Sequence, residues 1–209
     1  MYQPAHFRET RGEVLAALMR AHPLATLVTP AADAAGGFDA DHLPMEYDPL
    51  PAPFGTLRGH VARANPLWHS AAGAALAIFQ GPHAYISPAW YPSKQDAGKA
   101  VPTWNYAVVH AHGPLKIRED AEWLRKLVTR LTASQESPLK KPWHVTDAPP
   151  DYIDTMLKAI VGIEIPLSRL QGKWKMSQNR LPQDRDGVIQ GLEARDDEAS
   201  LAMLNALRQ

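Results

Sequence analysis

The 209-residue chain contains no cysteine. That removes disulfides, thiolate nucleophiles and cysteine-ligated zinc or iron–sulfur centres, and it agrees with a reducing compartment. No stretch approaches the roughly 20 consecutive apolar residues of a membrane helix. The opening MYQPAHFRETRGE lacks the basic start and apolar run of a secretory signal, so the sequence predicts a cytoplasmic protein without a membrane partner. Charge of either sign is not in excess, with Lys+Arg and Asp+Glu at 22 each. A broad electrostatic footprint for nucleic acid is therefore missing, and direct DNA binding has only a local basic patch left to rest on. Also absent are GxGxxG in a strand–turn–helix context, GxxxxGK[ST], GxSxG and HExxH, which disfavours Rossmann and P-loop nucleotide binding, a nucleophile elbow and a zincin centre.

What is present is ample core material, 45% hydrophobic residues, punctuated by 19 dispersed prolines, a pattern of many short elements joined by defined turns. Thr10 and Glu13 have capping-box spacing ahead of Val14, Leu15 and Leu18, predicting a first helix that Pro23 ends. Strands are predicted at Leu24–Thr29, His42–Tyr47 and Gly55–Ala62. A strand pair over Ala74–Phe79 and Ala84–Ser87 is broken at Gly81-Pro82, and a long strand over Thr103–Ile117 bends at Gly113-Pro114. AADAAGGFDA reads as a loop. Leu124, Leu127, Val128 and Leu131 share a helix face behind Glu119, Asp120 and Glu122. Ile153, Met156, Leu157 and Ile160 repeat that pattern, and Ile163–Leu167 returns to strand. A small helix is predicted over Asp196–Arg208. Six or seven strands, two helices inserted near 119–160 and the terminal helix near 196–208 predict one mainly β domain over 1–209, a small barrel.

Residues 81–113 mix Tyr85, Trp90, Tyr91, Trp104 and Tyr106 with His83, His110, His112, Lys94 and Lys99. Ring faces, hydroxyls, amides and cations suit a flat, partly charged ligand; a barrel rim or dimer seam rich in Tyr and Trp explains the same composition. Arg58, His60, Arg63 and Asn65 lie within eight residues at a strand end. Arg58 and His60 share a face, which is the make-up of a phosphate clamp or of a charged, protected strand edge. GKWKMSQNR (Gly172–Arg180) reads as a surface loop anchored by Trp174, or as a second pocket wall given by a partner subunit. Nine histidines lack a convergent metal motif, so no metal is assigned.

Six segments resemble, in order, those of the PaiB-type FMN-binding negative transcriptional regulators: HLP, GHVARANPLW, FQGPHAYISPAWY, VPTWNYAVVHAHG, IVGIEIPL and GKWKMSQNR, after the opening MYQPAHF. Ala89 stands where that family often carries Ser. The resemblance implies an FMN-binding split β-barrel (a Greek key related to pyridoxamine-phosphate oxidases), usually a homodimer with flavin at the subunit interface. On that basis Arg58, His60 and Arg63 become phosphate candidates and Asn65 their orienting group. Ser87, Trp90, Tyr91 and Lys94 line the ring or ribityl side, Thr103, Trp104 and Asn105 face the flavin, and Lys175 and Gln178 close the site. The implied function is a flavin-binding regulator that lowers transcription. Two alternatives remain open. One is a flavin-dependent oxidoreductase acting on a small molecule, with Tyr106, His110 and His112 as acid–base candidates and no catalytic residue assigned. The other is a haem-binding protein on the same barrel.

Overall fold

The alternation of apolar and polar residues becomes ten strands among the described residues. The computed structural model describes residues 1–31, 36–69, 73–94 and 98–208. The strands are β1 (Arg8–Glu9), β2 (Leu24–Pro30), β3 (Phe38–Pro44), β4 (Glu46–Asp48), β5 (Thr56–Ala62), β6 (Ala74–Ile86), β7 (Thr103–Pro114), β8 (Lys116–Arg118), β9 (Ile160–Pro166) and β10 (Arg169–Lys175). The helices are α1 (Gly12–Ala21), α2 (Ala121–Glu136), α3 (Pro150–Lys158), α4 (Pro182–Arg195) and α5 (Glu198–Leu207).

The chain divides into two compact units. The first comprises Met1–Leu18, Gln80–Val109 and Gln171–Gln209; the second comprises Met19–Phe79 and His110–Leu170. In the second unit β2 pairs antiparallel with β3 and β6, while a four-stranded sheet runs β4-β5-β9-β8. Its register aligns Arg58 with Glu164 and Leu57 with Ile165. Strand β9 (IVGIEIP) is buried on both faces, which explains its nearly continuous apolar run. Over one face lies Trp123 of α2, so close that a Cβ on Gly162 would meet its ring at 2.3 Å. Helices α2 and α3 share a small core of Leu124, Val145, Ile153 and Leu157. Asp120 caps α2 by accepting the Trp123 N–H at 2.7 Å.

In the first unit the strand order is β1-β10-β7-β6, with Arg8 opposite Lys173. Helix α4 packs on the aromatic turn after β6: a Cβ on Gly191 would sit 2.2 Å from the Trp90 ring, so only glycine admits that approach.

Several expectations are redrawn. Strand β6 is continuous through Gly81-Pro82, because Gly81 lies against Leu18 and the Ala107 carbonyl, where a Cβ would clash. The predicted strand over His42–Tyr47 is two strands parted at the buried Met45. Within the predicted loop AADAAGGFDA, β3 already begins at Phe38, while residues 32–35 lie outside the described residues. The carboxylate of Glu9, not Thr10, accepts the N–H groups of Thr10 and Arg11 ahead of α1. Ile160 opens β9 rather than closing α3. Of the segment Gly172–Arg180, read as a surface loop, residues 172–175 lie in strand β10 and residues 176–180 form the turn after it; α4 was not foreseen.

Candidate functional site

The sequence-selected residues fall into two groups with opposite electrostatics. In the second unit, the Arg58 guanidinium donates to Asp48 at 2.8 Å and to Glu164 at 3.2 Å. Glu164 also accepts from Arg118 at 2.6 Å. Burial pushes the Glu164 carboxyl up, but the two guanidiniums outweigh it and hold the group below the usual range. Arg63 donates to the Lys158 and Ile160 carbonyls and pairs with Glu119 at 2.9 Å. Asn65 donates to Asp41 and accepts the Leu67 N–H, forming an Asx turn. Arg58 and Arg63 are therefore already neutralised by their own unit, and Asn65 shapes a turn. His60 differs: burial drives its pKa down, and its Nδ1 is buried without a hydrogen-bond partner.

In the first unit, Lys175 on β10 donates to the Trp104 carbonyl at 2.7 Å and to the Thr103 hydroxyl. Burial first, then the charges of Lys173 and Arg180, push its pKa down. Lys173, only 8% exposed, lies between the rings of Tyr2 and Tyr106, with Nζ 5.6 and 5.4 Å from their centroids. The Arg180 guanidinium stands 4.9 Å over the ring of buried Tyr91. None of Lys173, Lys175 and Arg180 makes an ion pair among the described residues. In the same unit, Trp104 is 52% and Tyr85 39% exposed. Their rings meet edge-on at 6.0 Å, with His83 6.1 Å from Trp104.

The remaining candidates hold this region in shape. Asn105 is fully buried and exchanges hydrogen bonds with Ser177 at 3.1 and 3.2 Å; Ser177 adopts a positive φ of 60°. Gln178 accepts the Met176 N–H and donates to the Trp174 carbonyl. Ser87 caps the turn at Pro88–Trp90 by accepting from Ala89. Trp90 is covered by α4. Lys94 is exposed. Among the acid–base candidates, His110 is pushed down to about 4, chiefly by burial. The ring of His112 lies 3.2 Å from the Arg169 guanidinium. Among the described residues, no cluster of three or more His, Asp or Glu is arranged to hold a metal ion.

FMN presents a flat ring, a polyol and a phosphate. Exposed rings, the Thr103 hydroxyl and three cations lacking ion-pair partners supply the complementary chemistry, so the residues fit the group. Lys173 and Arg180 are cations that the sequence alone did not single out. The signal was there for Lys173, since it is two residues from Lys175 and so shares its strand face.

Comparison with known proteins gives the same cofactor. The family described as "Putative FMN-binding domain" matches residues 1–169. The chain is 34% identical over 243 residues to "Uncharacterized protein AN0679" of Emericella nidulans, covering 100% of this chain and 97% of that protein. It is 33% identical over 195 residues to "Protease synthase and sporulation protein PAI 2" of Bacillus subtilis, covering 92% and 89%. Among solved structures, the conserved hypothetical protein Rv2991 of Mycobacterium tuberculosis superposes with a TM-score of 0.55 at 16% identity, covering 87% of this chain and 94% of that one. The fold is the split β-barrel that the family resemblance implied. The chain is thus a member of the PaiB-type FMN-binding family, and FMN is its cofactor.

Proposed function

We propose that this protein is a flavin-dependent regulator of the PaiB type, working as a cytoplasmic homodimer that holds FMN at the subunit interface and lowers transcription of its target genes. The observation that carries the flavin seat is the set of three first-unit cations, Lys173, Lys175 and Arg180, without an ion pair among the described residues. A folded protein leaves half-buried cations unneutralised at an electrostatic cost, and a bound phosphate removes that cost. Lys175 and Arg180 take the phosphate, Thr103 takes the ribityl side and Trp104 faces the ring. Bound FMN supplies reversible electron uptake; these residues orient it and exclude water.

The exposed pair Tyr85 and Trp104 supports the dimer, since aromatic rings are enriched at the centres of interfaces. Among the described residues no helix is long and apolar enough to cross a membrane. The balanced charge favours regulation through a partner over direct DNA contact.

Titration with FMN, followed by visible absorption and by light scattering for mass, tests the reading. One FMN per chain and a dimer are expected, with Trp104→Ala shifting the protein towards monomer. A monomer that takes up no FMN would sink it. A gel shift against the promoters of its target genes, compared with random DNA at the same salt, separates direct from partner-mediated regulation. Stopped-flow reduction of the oxidised flavin by NADH and NADPH would separate a sensor, whose flavin is reduced slowly, from an oxidoreductase.

A further inference from the structure

The second unit contains a cleft of about 660 Å³ lined by β4, α2, the ends of α1 and β3, and His60 of β5. That volume is in the range of small-molecule sites. Its polar groups are unevenly matched. Arg130 is already paired with Glu46 through both guanidinium arms, at 2.6 and 2.9 Å. Arg20, at the end of α1, has no ion pair among the described residues; its guanidinium lies 5.6 Å over the Tyr47 ring. His60 carries the buried, unpartnered Nδ1. Leu131 and Trp143 add apolar wall. The Glu136 carboxylate, which accepts the Trp143 N–H at 2.9 Å, lies on the same lining.

We infer that this cleft binds a small monocarboxylate with an apolar body, its carboxylate on Arg20, its body against Leu131 and Trp143, and a polar atom on His60. One guanidinium without an acid partner matches one carboxylate. A phosphate dianion would meet a second guanidinium already neutralised by Glu46, and Glu136 besides. Burial favours the neutral form of His60, which offers a hydrogen bond rather than a second positive charge. None of the groups assigned to FMN under the proposed function lines this cleft. The inference stands without that assignment, and it takes His60 away from the phosphate role read from the sequence.

The test is calorimetry on FMN-loaded protein with 4-phenylbutyrate, using 4-phenylbutyramide and phenyl phosphate as controls. Saturable binding at one site per chain is expected for the acid, with the amide and the phosphate each at least tenfold weaker. Arg20→Gln should weaken the acid at least tenfold. Leu131→Trp, which fills the cleft without removing a polar group, should abolish binding. In both variants the flavin absorbance and melting temperature, read on the same samples, should match the parent. Absence of binding by the parent overturns the inference, as does equal affinity for acid and amide, or unchanged binding in either variant. Loss of flavin from Leu131→Trp at an unchanged melting temperature would give the cleft to FMN and overturn it as well.

Discussion

A set of cations in the first unit and a set in the second are treated in opposite ways. In the second, Arg58, Arg63, Arg118 and Arg130 each have a carboxylate partner, and most of those partners lie far away in sequence. In the first, Lys173, Lys175 and Arg180 have rings, a hydroxyl and carbonyls, but no carboxylate among the described residues. A neutralised cation holds strands and helices together; an unneutralised one is a vacancy for an anion. Cations thus hold the fold together in one region and stand ready for the proposed phosphate in the other. What decides between them is the company each cation keeps.

The largest effect that breaks this contrast should come from Glu164. Its carboxylate serves Arg58 and Arg118 together while only 8% exposed. Glu164→Ala leaves two partly buried guanidiniums without their anion. Because Arg118 is partly solvated, the loss falls somewhat below that of a fully buried pair, at about 2–3 kcal/mol. Urea unfolding should read that loss, with FMN affinity within twofold of the parent. If flavin affinity collapsed while stability held, Arg58 would belong to the site after all.

Lys175→Met should show the reverse profile. A charge-assisted hydrogen bond to phosphate contributes about 1.5–3 kcal/mol, so FMN affinity should fall roughly tenfold to a hundredfold in fluorescence titration. The stability of the flavin-free protein should be unchanged or slightly higher, because a half-buried cation near two others has been removed. Equal loss of affinity and stability would show that Lys175 holds β10 to β7 and nothing more. Gly191→Ala comes next. It forces a Cβ into the Trp90 ring, and overpacking of this kind costs about 1–3 kcal/mol. Its effect on FMN binding should be indirect, arising only through the turn after β6.

How much of this was legible in the sequence follows the same division. The helices near 119–160 were readable because their apolar stripes and the Asp120 cap are local signals. Strand β10 was not, since Lys-Trp-Lys reads as a surface loop until β1, from the other end of the chain, pairs beside it, Arg8 opposite Lys173 and Glu9 opposite Gly172. Helix α4 was hidden because its two glycines and scattered charges give no apolar face; contact with Trp90 is what requires those glycines. The cluster Arg58, His60, Arg63 and Asn65 attracted a phosphate role because its members are close along the chain. Besides Asp48, the carboxylate that answers Arg58 is Glu164, 106 residues away, and no spacing rule reveals such a partner. Conversely, Thr103, Trp104 and Lys175 were picked out by residue type and family resemblance, and the fold brings them within hydrogen-bond reach. Local periodicity shows which elements form; it does not show which charges are left over.

The smallest effect is the one that titrates. Burial and the neighbouring cations place the Lys175 pKa below its ordinary value in the folded, flavin-free protein. A lysine whose folded pKa is depressed binds its proton more weakly folded than unfolded. Stability of the flavin-free protein therefore rises as pH climbs from the depressed value to the ordinary one, and falls back to its lower level below that window. Bound phosphate acts the other way, favouring the ammonium, so FMN affinity should decline across the same alkaline window while stability without FMN improves. Lys175→Arg, whose guanidinium stays charged throughout, should flatten both profiles and retain flavin. If the parent and Lys175→Arg had the same alkaline slope in FMN affinity, the titrating group would be another one, and Lys175 would lose its place opposite the phosphate.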